Sequence, residues 1–160
     1  MKKLFSVLTL AALFVFTGCS DFFIDATAVH NGLVDRMDAT LSAEETFYDT
    51  YYNIQEGDDT TVLVTNYDAF KAAADELESY FTDTKFASTQ QVFIAEYNDY
   101  YKPEVGKYLE GAGKFVDGVK ANGFVLADAE KSFEEMDGYG QKFVEVHNKL
   151  IDTINAQADY

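Results

Sequence analysis

The sequence predicts an all-α protein, an elongated up-down-up-down four-helix bundle that follows an N-terminal signal peptide. Three observations predict it. Apolar residues recur at steps of three and four along four long segments. The stretches between those segments are polar or contain glycine. The one β-branched run, Thr60 to Val64, has no partner strand elsewhere in the chain. A chain of 160 residues holds one ordinary domain, and 48% hydrophobic with 16% aromatic residues is enough to bury a core.

The first helix is expected from about Ile24 to Ile54. Its stripe runs through Ala26, Val29 or His30, Leu33, Met37, Leu41, Phe47 or Tyr48, and Tyr51. Ser42-Ala43-Glu44-Glu45 has the form of a capping box that could open a new helix. The stripe keeps its phase across that point, so one long helix is preferred. Gln55 to Asp59 then ends the element. Thr60 to Val64 reads as an extended lead-in, with Thr65 as the N-cap of a second helix from about Asn66 to Phe86. Its inward positions are Phe70, Ala73, Ala74, Leu77, Tyr80 and Phe81.

Ser88 with Gln91 repeats the capping pattern and opens a third helix. Its stripe is Phe93, Tyr97, Tyr100 or Tyr101, Val105, Tyr108, Ala112, Phe115 and Val119. Pro103 should kink this helix, because it lacks a backbone donor. Gly106, Gly111, Gly113 and Gly118 each lower intrinsic helicity by about 1 kcal/mol relative to Ala, so packing must hold the segment through close approach by a neighbour. Asn122-Gly123 is a stop. The last helix runs from about Ala127 to Ala156, with Ala129, Phe133, Met136, Phe143, His147, Leu150 and Ile154 on one face. Short connections make consecutive helices antiparallel neighbours.

The first nineteen residues carry an address. Lys2 and Lys3 precede an uncharged, mostly apolar run of 13 residues, Leu4 to Phe16, which suits a signal-peptide core and is too short to span a bilayer stably. Phe16-Thr17-Gly18-Cys19 follows directly and contains the only cysteine of the chain. This motif resembles the lipobox of bacterial lipoproteins, in which small residues precede a cysteine that is acylated and becomes the mature N-terminus. The resemblance covers residues 1–19. It implies removal of residues 1–18, a short lipidated tether at 19–23, a helical domain at 24–160, and anchoring to a membrane through lipid on Cys19 at the extracytoplasmic side of the cell envelope. The mature region resembles the uncharacterised helical lipoproteins of many bacteria, which carry no function across.

Charge narrows the partners. Twelve Lys and Arg against 28 Asp and Glu give a formal charge of -16, and loss of Lys2 and Lys3 with the signal peptide brings the mature chain to 10 against 28, or -18. Such an excess repels phosphate backbones and excludes nucleic acid as a partner. The tyrosines stand out: Tyr48, Tyr51 and Tyr52 close the first helix, Tyr67 opens the second, and Glu56, Asp58 and Asp59 lie between them. These residues are expected at one tip of the rod, where an aromatic and acidic surface would suit a basic envelope protein or another cationic ligand.

Chemistry is harder to find. A ferritin-like di-iron site needs Glu-x-x-His pairs, and Thr27 and Val144 stand three residues before His30 and His147. Both histidines fall on inward stripes at similar expected heights and could meet. A metal would then need further ligands such as Asp25, Glu145 or Asp152, so a satisfied core histidine is the expected outcome and neither metal nor cofactor is expected. Asp58-Asp59 and Glu134-Glu135 do not fit the calcium loop, and no serine stands in a G-x-S-x-G elbow. The expectation is a non-enzymatic, lipid-anchored binding or structural module. The alternative is a bundle with a small-molecule or metal site in its core.

Overall fold

The computed structural model describes residues 24–157, and every element among them is helical. The expected lipobox and tether, with Cys19, lie outside the described residues. Five α-helices are present: α1 (Ala26–Asn53), α2 (Thr61–Asp83), α3 (Gln91–Glu96), α4 (Lys102–Asn122) and α5 (Leu126–Asn155). A 3-10 turn, Ser88–Gln90, leads into α3, and a π-helical turn, Tyr97–Tyr101, joins α3 to α4.

Asp25 caps α1 by accepting the Ala28 amide at 2.9 Å. The helix then runs without interruption across Ser42 to Glu45, because Met37, Thr40, Glu44, Phe47 and Tyr51 keep one buried seam at steps of three and four. Val29 and Phe47 take the buried positions that the stripe left open, while His30 and Tyr48 are half-buried. The chain turns through Gly57 at φ +94°, a conformation that costs a glycine nothing.

The second helix starts earlier than its sequence pattern predicts, at Thr61 and not at Asn66. Thr61 to Val64 are helical rather than extended, and Thr65 is inside the helix. Asp59 accepts the Thr61 amide at 2.9 Å, and Leu63 is fully buried. Burial of Leu63 therefore overrides the local β preference of the run. The helix also ends at Asp83, before Phe86. The cap expected from Ser88 and Gln91 shifts by one residue: Gln90 Oε1 accepts the Ala87 amide at 3.1 Å, and its Nε2 donates to the Ala26 carbonyl at 3.1 Å, tying this connection to the start of α1.

Pro103 sits in the first turn of α4, directly after the π turn. Its ring would collide with the carbonyl four residues earlier in a regular helix, and the wider turn gives it room. The turn resolves the open tyrosine position, since Tyr101 is buried and Tyr100 is 52% exposed. Further on, Val116 is fully buried and Phe115 is half-buried, so the seam passes one residue beyond the expected position. Phe115 instead meets Tyr51 edge-on at 4.9 Å. Gly123, at φ +75°, ends α4 as expected.

The pairings are antiparallel. Along α1 and α2, Tyr80 donates to the Val29 carbonyl at 3.1 Å and Asn66 to Thr50 at 2.7 Å, so one helix falls as the other rises. Tyr67 to Leu109 at 3.1 Å and Lys102 to Glu78 at 2.6 Å run α2 against α4 in the same sense. Tyr51 reaches the Ala129 carbonyl and Tyr48 reaches Asp137, which sets α1 against α5. Tyr108 and Tyr101 meet Phe143 and His147 respectively, which sets α4 against α5. One aromatic ring from each long helix fills a shared layer: Phe70 lies 6.3 Å from Phe47, 5.3 Å from Tyr108 and 5.7 Å from Phe143.

Glycines mark the close approaches. A Cβ on Gly111 would stand 2.5 Å from the Tyr139 ring, and one on Gly32 would stand 2.5 Å from the Tyr80 hydroxyl. Arg36 also packs on Tyr80, its guanidinium 4.3 Å from the ring centre. Gly106 and Gly118 have open space around them, so the expected close approach holds for only some of the α4 glycines. Gly111→Ala should therefore cost about 1–3 kcal/mol despite its better helix propensity, because the Tyr139 ring must move. Gly118→Ala should stabilise by about 0.5–1 kcal/mol. Urea melts of the two variants check both signs; a stabilised Gly111→Ala would mean that the α4–α5 seam is looser than described.

Candidate functional site

The candidate site forms where α1, α4 and α5 meet around Glu44. The heptad-like steps along α1 aim this side chain inward, and it is 4% exposed. Tyr108 of α4 donates to Glu44 Oε1 at 2.7 Å. Gly140 of α5 makes room beside it, since a Cβ there would lie 3.8 Å from Glu44 Oε1 and 3.2 Å from the Tyr48 ring. Burial raises the Glu44 carboxyl from 4.5 to about 7, the nearby charges of Glu45 and Asp49 push the same way, and the Tyr108 bond opposes them. The Tyr108 hydroxyl is pushed up by burial and by the carboxylate it serves, so it remains a donor.

Glu44 also lines a cleft of about 570 Å³ between α1 and α5, walled by Glu45, Tyr48, Asp49, Gly140, Gln141 and Val144. Tyr48 is fixed in that wall by donating to Asp137, which also accepts from Tyr52 at 3.0 Å. These two bonds hold the Asp137 carboxyl below the usual carboxylate range. In the sequence Glu44 stands inside a possible capping box, and nothing in that pattern marks it as buried. The signal that marks it is its place in the series 37, 40, 44, 47, 51, which is the buried seam of the helix.

The histidines are placed apart. His147 is 2% exposed, packed 5.4 Å from the Phe143 ring and 5.9 Å from the Tyr101 ring, with the Tyr101 hydroxyl 3.4 Å from Nδ1. Burial lowers its pKa from 6.5 to about 4, against a small opposing pull from Asp38. His30 is half-buried and lines a different cleft with Thr89, Gln90 and Gln157. Where α1 and α5 cross, Glu44 faces Gly140 and Tyr48 faces Asp137, so His147 stands level with residues near 37 and 38 of α1. His30 lies two turns further along, about 10 Å away at 1.5 Å per residue. The two histidines, which their stripes allow to meet, are therefore held apart. The further ligands suggested for them are placed elsewhere: Asp25 caps α1 and Glu145 pairs with Lys142. Among the described residues, no group of three His, Cys, Asp or Glu is placed to hold a metal ion.

The residues expected at the tip divide. Glu56, Asp58, Asp59 and Tyr52 are exposed, whereas Tyr48 and Tyr67 are half-buried and Tyr51 is buried against Phe115. Asp58 and Asp59 carry local structure, accepting the amides of Gln55 and Thr61 at 2.9 Å each. Comparison with protein families, curated proteins and solved structures finds no match to this chain.

The two buried titrations have opposite signs. Folded Glu44 keeps its proton up to about pH 7, while the unfolded chain loses it near the ordinary carboxyl value of 4.5, so stability falls as pH rises between these values. Folded His147 stays neutral down to about pH 4, while the unfolded chain takes up a proton near 6.5, so stability falls as pH drops through that window. Glu44→Gln, which keeps an acceptor for Tyr108, should be more stable than wild type at pH 8 by as much as about 3 kcal/mol, and the gap should close by pH 4.5. Denaturant melts across pH check this; a constant gap would show that Glu44 is not the group that titrates. His147→Asn should remove part of the acid sensitivity between about pH 6.5 and 4 in the same series.

Proposed function

We propose that this chain is a bacterial envelope lipoprotein. Residues 1–18 direct export, Cys19 carries the lipid, and residues 24–160 act as a non-enzymatic binding module for a basic protein or another cationic ligand. The antiparallel pairings of α1 with α2, α2 with α4 and α4 with α5 support an up-down-up-down four-helix bundle in which residues 91–122 serve as one rod. Two features support anchoring by lipid rather than by a span. The only cysteine follows Gly18, three residues past the end of the apolar run, and no described helix is long and apolar enough to cross a membrane.

One observation carries the binding role: the end of α1 far from the tether presents Glu56, Asp58 and Asp59 to solvent, and no basic residue lies between Asn53 and Thr61. A helix of 28 residues holds that loop about 42 Å from the tether end of α1, at 1.5 Å per residue. Ser20 to Phe23, between the lipidated cysteine and residue 24, reach at most about 14 Å. The charge of -18 disfavours laying such a body along an anionic membrane, which leaves the acidic loop facing away from it.

Metabolic labelling with a fatty acid tests the anchor. Wild-type protein should take up label and fractionate with membranes, and Cys19→Ala should do neither. Export without label would overturn this reading. For the tip, cross-linkers placed at positions 58 and 123 should capture envelope components more often than one placed at Ser88; equal yields would count against it.

A further inference from the structure

We propose that Tyr48 and Tyr52 are a site of oxidative modification, at which their rings couple into a dityrosine cross-link within α1, with Asp137 of α5 as the shared proton acceptor. Neither Cys19, nor export, nor a partner at the tip is needed for this chemistry.

Residues four apart on a helix stand one above the other on the same face. Tyr48 and Tyr52 have that spacing, and both hydroxyls donate to Asp137 Oδ1, the second at 3.0 Å. Two phenols that converge on one oxygen bring together the ring carbons beside their hydroxyls, which are the carbons at which phenoxyl radicals join. The ring centres are 4.8 Å apart and the planes are tilted by 41°. Two phenols joined by one carbon–carbon bond stand slightly closer than this and are likewise twisted, because their hydroxyls crowd a flat arrangement. Little motion separates the observed pair from the linked one, and Tyr52, 47% exposed, is within reach of an oxidant.

Other tyrosine pairs lack this combination. Tyr97 and Tyr101 repeat the spacing, but both rings are buried, their centres are 5.6 Å apart, and Tyr101 faces His147 rather than a shared carboxylate. Tyr108 and Tyr139 are 6.2 Å apart, and the buried Tyr108 serves Glu44. Tyr51 meets Tyr52 edge-on at 5.9 Å, with its own hydroxyl turned to the Ala129 carbonyl.

Hydrogen peroxide, acting through a haem peroxidase, is the oxidant. Tyr52 gives up one electron to the peroxidase and its hydroxyl proton to Asp137, whose carboxyl is held ionised by the two phenols it accepts from. Asp137 passes that proton to solvent, and a second oxidation takes an electron and a proton from Tyr48 by the same route. The two radicals then form one carbon–carbon bond between the ring carbons beside the oxygens. The hydrogens on those carbons move to the oxygens as the rings regain aromaticity, which restores both hydroxyls. The product has two hydrogen atoms fewer than the pair, and the two electrons and two protons released reduce one peroxide to two waters. The result is a covalent staple across the last turns of α1.

Dilute full-length protein in detergent micelles, treated with a haem peroxidase and hydrogen peroxide at neutral pH, tests the assignment. The blue fluorescence of dityrosine should appear while the chain stays monomeric on a denaturing gel. Trypsin cuts after Arg36 and Lys71, and the peptide between them should be lighter by two hydrogen atoms, with the link mapped to Tyr48 and Tyr52. Tyr48→Phe and Tyr52→Phe, which keep each ring, should lower the initial rate of cross-linking by about tenfold or more, while Tyr100→Phe, at a site 52% exposed, should leave it within about twofold. Asp137→Asn keeps an acceptor oxygen for both hydroxyls but takes up no proton, so it should slow the reaction by about tenfold. Raising phosphate, a diffusible base, at constant ionic strength should recover the rate in that variant and leave wild type unchanged. Absence of dityrosine overturns the proposal, as does a cross-link found only between chains or mapped to Tyr51 or Tyr67. An unchanged rate in Asp137→Asn overturns it too, since the pair would then react without the shared proton acceptor.

Discussion

The structure depends on tyrosines laid across glycines where the long helices approach one another. Tyr80 of α2 covers Gly32 of α1, Tyr67 of α2 covers Gly113 of α4, Tyr139 of α5 covers Gly111 of α4, and Tyr48 of α1 covers Gly140 of α5. Each pair joins a large ring to a position with no side chain, so the helices approach closely while the ring keeps its apolar contact. The hydroxyls complete the arrangement. Tyr80 and Tyr67 reach backbone carbonyls on the facing helix, and Tyr48 reaches Asp137. Sliding any of these helices by one turn would move a ring off its glycine and onto a Cβ. Register is therefore fixed at four seams by the same device, and the chain achieves this without tryptophan.

The constraint explains why Glu44 is tolerated inside. Gly140, needed for the Tyr48 contact, also leaves space beside the carboxylate. Tyr108, needed for the aromatic layer with Phe70 and Phe143, also supplies its one hydrogen bond. A polar group thus sits in a core whose other occupants at this level are aromatic rings, and the cost of ionising it appears as the upward shift of its proton affinity. Surface charge contributes little by comparison. Most of the ion pairs join neighbours on one exposed helix face, such as Lys114 with Glu110 and Lys71 with Asp75, where water screens them.

Much of this architecture is legible in the sequence, because apolar periodicity reports a buried face directly. The extents of α1 and α5 follow from it, and the stop at Gly123 follows from the Asn-Gly pair. What the sequence does not reveal is what a face meets. Thr60 to Val64 read as extended because β-branching is a local signal, whereas the burial of Leu63 that makes the segment helical is a tertiary one. The tyrosines read as a recognition surface because their spacing shows them near the ends of helices; that Tyr51 and Tyr67 turn inward follows from partners on α4 and α5, dozens of residues away. Glu44 escaped for the opposite reason. Its type signals a helix start or a solvated position, and only its place in the seam says otherwise.

The π turn at Tyr97–Tyr101 bears on how the length of this chain can change. Removing a residue from a regular helix rotates everything beyond it by about 100° and would turn the seam of α4 away from its neighbours. A π turn holds one residue more than the α-helical path needs, so a single deletion within it can relax to an ordinary turn and leave the faces of α3 and α4 in phase. Pro103 would then lose the room that the wide turn provides, so the deletion is best accommodated when the proline is exchanged as well. Within the stretch from Gln91 to Asn122, these five positions are where a lineage of such proteins could shorten by one residue and keep its core.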